Sequence, residues 1–232
     1  MPGTHDLRQA AARADGAAAP RPPARSSWVA GTSPAMTSGN LDALLAEIAA
    51  CRACAGEFGH EPRPDVRVSA QVRLLICGQA PGRRVHESGL PFDDPSGERL
   101  RDWMGIDRAT FYGNPAIGVA AMAFCFPGTN PKGGDFPPPP RCAALWRPRL
   151  LAELPSAELT LLVGGHAQKW ALGSAMKADM TATVRAWRDY SPGVLPLPHP
   201  SWRNTGWLKR NPWFEDEVVP YLRARVRDIV TP

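Results

Sequence analysis

Short apolar runs that halt at glycine- and proline-bearing loops constrain the fold of this chain most. Leu74-Leu75-Ile76-Cys77 gives way to Gly78-Gln79-Ala80-Pro81-Gly82, Leu159 to Val163 gives way to Gly164-Gly165, and Val194 to Leu197 gives way to Pro198-His199-Pro200-Ser201. Such runs are too short for helices and lack the alternation of a strand with one wet face. They suit strands buried on both sides, the strands of parallel sheets. The first is expected over residues 72–77, and a further one over Ile117 to Phe124. Helical spacing marks Leu41, Leu44, Leu45 and Ile48 behind Asn40 as N-cap, then Leu100 with Trp103 and Met104. Further helices are expected from Cys142 through Leu151, from His166 to Leu172 and from Pro212 to Val226. Strand and helix alternate, so the expected fold class is α/β: a three-layer α/β/α sandwich around a central, mainly parallel four-stranded sheet.

Composition narrows the function classes. The chain has 232 residues, 44% of them apolar, enough for one domain with its own core. No apolar run nears the roughly 20 residues that span a bilayer, so no membrane role is expected. Residues 1–38 are rich in Ala, Pro, Arg, Ser and Gly without periodicity, the composition of a disordered extension; the folded domain is expected over 39–232. That extension lacks the apolar core of a secretory signal. A net charge of +5 and a pI of about 9.2 permit a polyanionic partner. Trp187, Trp202, Trp207 and Trp213 stand near Arg or Lys, a mixture that serves base stacking and phosphate contact or, equally, a core.

Ligands of open α/β sheets bind at the carboxyl ends of the strands, so the loops at 78–82 and 198–201 are expected to build one site. The first offers close backbone approach at Gly78, Ala80 and Gly82 and a fixed φ at Pro81. Downstream, Leu90-Pro91-Phe92-Asp93-Asp94 sets a ring beside two carboxylates. Phe92 either stacks on a planar ligand or belongs to the core, and the carboxylates either orient water or cap a helix. His199 is a titratable donor at a strand end.

The chain has five cysteines. Cys77 falls inside an apolar run and reads as core. Cys51-x2-Cys54 followed by single Cys125 and Cys142 suits a four-thiolate site for a 4Fe-4S cluster, or for zinc, with free thiols as the remaining alternative. Disulfides do not fit a chain with no mark of secretion.

Together these motifs resemble the uracil-DNA glycosylase superfamily, in order from about Leu41 to the C-terminus. Gly78-Gln79-Ala80-Pro81-Gly82 resembles the first motif of its iron–sulfur (family four) branch, and His199-Pro200-Ser201 the second. Leu90-Pro91-Phe92, Arg101-Asp102-Trp103-Met104-Gly105-Ile106 and His199 to Asn204 are similar to the single-strand-selective monofunctional branch. The resemblance implies hydrolysis of the N-glycosidic bond of uracil in DNA by base flipping, without strand cleavage, initiating base excision repair. It also implies a monomeric, bacterial, cytoplasmic, nucleoid-associated protein whose cysteines at 51, 54, 125 and 142 hold a structural 4Fe-4S cluster.

The resemblance assigns His199 to the leaving base, with Gln79 and Asp94 completing the catalytic set. Gly78, Ala80, Pro81, Phe92 and Asn204 are expected to hold the base. Arg83, Arg84, Ser201, Trp202 and Arg203 are expected on DNA, with Trp202 or Arg203 as the wedge in the vacated stack. The chain departs from the family pattern in two places. Gln79 and Ala80 stand where relatives carry a carboxylate, leaving Asp94, Glu87 or Asp93 to act on water. Ala121 stands where family four carries the Asn that reads the pyrimidine edge, leaving Asn114 or Asn204 as replacements. Hence two rival expectations: a damage-binding protein without turnover, and a glycosylase for deaminated purines. Arg83-Arg84-Val85-His86 superficially resembles the loop of relatives that trap themselves on DNA, but it directly follows the first motif and is expected to be a basic loop near phosphates.

Overall fold

A computed structural model describes residues 38–231. The extension expected over residues 1–38 lies, save its last position, outside the described residues. Strands β1 (Leu74–Cys77), β2 (Ile117–Val119), β3 (Leu159–Val163) and β4 (Val194–Leu197) form one sheet in the order β2-β1-β3-β4. All three pairings are parallel. Every residue of these strands is buried, as their unbroken apolar character requires.

The pleat divides the strand side chains between two cores. Leu74, Ile76, Leu161 and Leu195 pack with Leu100 and Trp103 of α3 (Pro95–Met104) and Leu222 and Val226 of α9 (Val219–Val230). Leu75, on the other face, meets Leu44 and Ile48 of α1 (Ser38–Ala49) and Trp146 and Leu150 of α5 (Pro140–Ala152). Cys77 and Leu162 meet Ala167 and Ala171 of α6 (Gly165–Leu172) on a third cluster. This is the expected three-layer α/β/α sandwich.

Several boundaries differ from the sequence expectation. Helix α1 begins before Asn40, so Asn40 lies inside it and its amide donates to the Glu153 carboxylate. Four six-residue helices carried too little periodicity to be foreseen: α2 (Arg83–Ser88), α4 (Arg108–Gly113), α7 (Met180–Arg185) and α8 (Thr205–Arg210). A π-helical turn at Phe214–Val218 leads into α9. The second strand stops at Val119 rather than Phe124 because the chain beyond it bends to another partner. Arg147, 1% exposed, donates to the carbonyls of Ala120 and Ala121 at 2.8 and 3.0 Å. The freed segment ties back to the first motif instead, through Met122 N–H to Gly78 O and Ala123 N–H to Gln79 O.

Candidate active site

A cleft of about 700 Å³ opens at the carboxyl ends of the strands, where the loops after β1, β3 and β4 meet. It brings together Gly78, Gln79, Ala80 and Pro81 from the first loop, Phe92 and Asp94, and His199, Ser201, Trp202, Arg203 and Asn204 from the last. Arg84 also lines it. Arg83 is not among the lining residues; its guanidinium donates to Thr129 Oγ1 at 3.3 Å.

His199 has a defined protonation pattern. Its Nδ1 accepts the Ser201 N–H at 3.2 Å, which leaves the ring hydrogen of the neutral imidazole on Nε2. Burial holds the imidazole below its ordinary pKa, while the Asp94 carboxylate pulls the other way. The loop itself is braced. Asn204 Nδ2 donates to His199 O at 2.6 Å, and Arg99 Nη1 to Ser201 O at 3.1 Å. The Asn204 amide nitrogen is therefore engaged by the loop. Gly164 has φ +86°, a backbone conformation that favours glycine, and it sets the loop after β3 against the His199 side chain.

Phe92 occupies the left-handed region, with φ 57°, a conformation that costs a non-glycine residue about 1 kcal/mol or more. Its surroundings over-determine it. Arg101, itself buried, donates to Phe92 O at 3.1 Å, and Gly97 approaches that carbonyl so closely that a Cβ would lie 1.8 Å from it. The ring meets Phe111 edge-on at 6.3 Å and comes within contact distance of the Gly78 position. Asp94 caps α3, its Oδ1 accepting from Gly97 N–H at 2.8 Å, while also lining the cleft. Capping and a place in the cleft thus coexist. Gln79 Nε2 donates to Phe136 O at 3.2 Å, fastening the first motif to the loop that follows Phe126.

The rim is basic and carries one exposed ring. Trp202 is 75% exposed, with the Arg203 guanidinium 5.6 Å from its ring centroid. Arg203 also lies against Gly134, while Asp135 faces both Arg203 and Arg83. These side chains can meet a phosphate backbone and press an aromatic ring into a base stack.

Comparison with known families adds one finding. The family model described as the uracil DNA glycosylase superfamily matches residues 66–223. The chain belongs to the uracil-DNA glycosylase superfamily. It is accordingly a DNA glycosylase, a hydrolase of base excision repair that acts on DNA. The match spans all four strands and both motif loops of the cleft; Cys51 and Cys54 precede it.

Several expectations for this superfamily member fall outside the cleft. Asn114 donates to Val230 O and accepts from Ala116 N–H, both far from the motif loops. Asp93 pairs with Arg108 at 2.8 Å. His86 is packed 4.5 Å from His60 in an aromatic cluster with Phe126 and is not among the cleft residues. Conversely, sequence reasoning passed over three residues. His166 lines the cleft, and its imidazole is held below the ordinary value by burial. Gln168, 0% exposed, donates to Leu197 O at 2.9 Å and so holds the strand that delivers His199. Asp65 lines the cleft, and burial pushes its carboxyl up to about 6. It comes from an extended proline-rich segment without periodicity, where only an isolated acid in a basic stretch could have marked it.

The cysteines at 51, 54, 125 and 142 line a single pocket on the α1–α5 side. Its other walls include Phe58, Pro62, Leu145 and Trp146. Burial is the main cause that pushes Cys125 up to about 12 and Cys142 up to about 11, and neighbouring cysteines add to both. A donor set of this kind stays protonated until a cationic centre binds it. Among the described residues no group of three or more His, Cys, Asp or Glu side chains is close enough to hold a single metal ion. A cluster of four irons presents several centres, and its thiolates need not converge on one point. Four thiols gathered in one pocket are the donor set that a four-thiolate centre would require. Cys77 is core, with its Sγ 3.6 Å from Met122 Sδ.

Proposed function

We propose that this glycosylase hydrolyses the N-glycosidic bond of deoxyuridine, extruding the base into the cleft and leaving the strand uncut. The observation that carries this reading is the His199 tautomer. A partly buried neutral imidazole with its hydrogen on Nε2 offers a donor where negative charge develops on uracil O2 as the bond breaks. A preorganised donor of this kind contributes roughly 3 kcal/mol. The remaining roles follow from position. Phe92 stacks on the base, backbone groups from Gly78 to Pro81 meet its edge, and Trp202 fills the vacated stack while Arg84 and Arg203 neutralise phosphates. Gln79 and Asp94 orient water toward the sugar. No lysine lines the cleft among the described residues, which supports a hydrolytic course without a Schiff base.

The chain is similar to the iron–sulfur (family four) branch, with features of the single-strand-selective monofunctional branch. Its cysteines at 51, 54, 125 and 142 would hold a 4Fe-4S cluster in a structural role. The deciding experiment incubates purified protein with oligonucleotides that each carry one lesion, and measures released base under single turnover. Uracil release without strand scission is expected. Tight binding with no released base would favour a damage-binding protein, and release of deaminated purines alone would move the substrate class.

A further inference from the structure

We infer that Asp65 reads the N3–O4 edge of the extruded pyrimidine, in place of the amide side chain that Ala121 lacks. This inference rests on the uracil reading above and names the group that gives it selectivity.

The segment holding Asp65 runs antiparallel beside the end of β2, joined by reciprocal Arg67–Val119 backbone hydrogen bonds and by Asp65 N–H to Phe124 O at 2.6 Å. It therefore lies along the chain that carries Ala121, and both residues line the cleft. His199 enters the same cleft after β4, at the opposite edge of the β2-β1-β3-β4 sheet. A uracil whose O2 faces His199 turns O4, on the far side of N3, toward the β2 edge. Apolar Val119 and Ala121 offer that edge nothing polar. Asp65, held against the end of β2, does.

The Arg63 and Arg67 guanidiniums lie near enough to pull the Asp65 pKa down against the larger effect of burial, but the carboxylate has no hydrogen-bond partner. Among the described residues Asp65 Oδ2 is enclosed and has no hydrogen-bond partner, and no side-chain bond engages Oδ1. A carboxyl group that lines the cleft and has no hydrogen-bond partner of its own either accepts from N3–H or, as the acid, donates to O4. Its elevated pKa near 6 makes both forms accessible at neutral pH. A site built to hydrogen-bond a polar edge rejects a base that lacks it, because its own polar group is then left unpaired.

The test compares wild type, Asp65→Asn and Asp65→Ala on two oligonucleotides, one with deoxyuridine and one with the 2-pyrimidinone deoxynucleoside, which lacks both N3–H and O4. Single-turnover release and half-saturating concentration are measured for each. The Asn variant should stay within a few-fold of wild type on uracil, because its amide supplies an acceptor and a donor. The Ala variant should lose about 10–100-fold on uracil, mainly in half-saturation, and its preference for uracil over the analogue should fall by the same factor. An unchanged preference in Asp65→Ala overturns the assignment. So does equal loss in both variants on both bases, the pattern of a water-activating or purely structural carboxylate. If wild type itself releases no uracil, the uracil reading fails, and the assignment of Asp65 to the pyrimidine edge falls with it.

Discussion

At residue scale the cleft is organised by what each polar group is prevented from doing. Ser201 N–H occupies His199 Nδ1, so the imidazole can donate only through Nε2. His199→Ala should reduce single-turnover uracil release by about 100–1,000-fold, the range for losing one preorganised donor, with duplex binding nearly unchanged. Release measured by rapid quench beside a fluorescence titration checks both halves. Asp65 makes the opposite case, an acid denied a partner. Its folded pKa, about 6, lies above the ordinary carboxylate value of 3.8, so the folded state binds the proton more tightly than the unfolded one. Stability from this group is present below the lower value and lost as pH rises through that window. Thermal melts should therefore show Asp65→Asn gaining several degrees over wild type at pH 7.5 but little at pH 3.5–4. A gain that does not grow with pH would reject that account. His199 and Gln79 were legible because each sits beside Gly or Pro where an apolar run ends. Asp65 was not, because its significance comes from enclosure by Phe124 and the β2 edge, which no local pattern encodes.

The elements most exposed to failure are those held in unfavourable local geometry. Helix α3 starts three residues after Phe92, and its first turn presses against the Phe92 carbonyl. A methyl at Gly97 would lie 1.8 Å from that oxygen, and backbone cannot yield as a flexible side chain does. Gly97→Ala should thus destabilise by about 3 kcal/mol, the upper part of the overpacking range, and lower Tm by roughly 6–12 °C. It should also weaken uracil release in protein that remains folded, since the Phe92 ring moves with its backbone. A melt and an assay on one preparation test both, and an unchanged Tm would refute the clash. Strands β1, β3 and β4 were readable from their apolar runs because burial on both faces leaves no alternative pattern. The overlong expectation for the second strand failed at Ala120 and Ala121, where a buried Arg147 from a distant helix captures the carbonyls. Residues 120–124 are apolar because they are buried, and burial alone does not make a strand.

Across the whole molecule, the thiol pocket and the cleft share one segment. Cys125 stands between Ala123, whose N–H bonds Gln79 O, and the loop through Phe136, whose carbonyl accepts from Gln79 Nε2. Cys51 and Cys54 follow α1, and Cys142 lies in α5. A 4Fe-4S cluster held by these residues would therefore tie the end of α1 and the first turn of α5 to the loop that borders the first motif. Its contribution would be mechanical, and binding it would draw the protons from thiols that burial otherwise holds protonated. Protein purified without oxygen should carry about four irons per chain and absorb in the visible range. Cys125→Ser should be colourless with a markedly lower Tm. Partial iron removal should lower Tm before it alters the single-turnover rate of the fraction still folded, because neither His199 nor Phe92 touches the pocket. Stoichiometric zinc or no metal in the purified protein would reject the cluster. A single-turnover rate that falls in step with iron while Tm holds would instead reject its structural role.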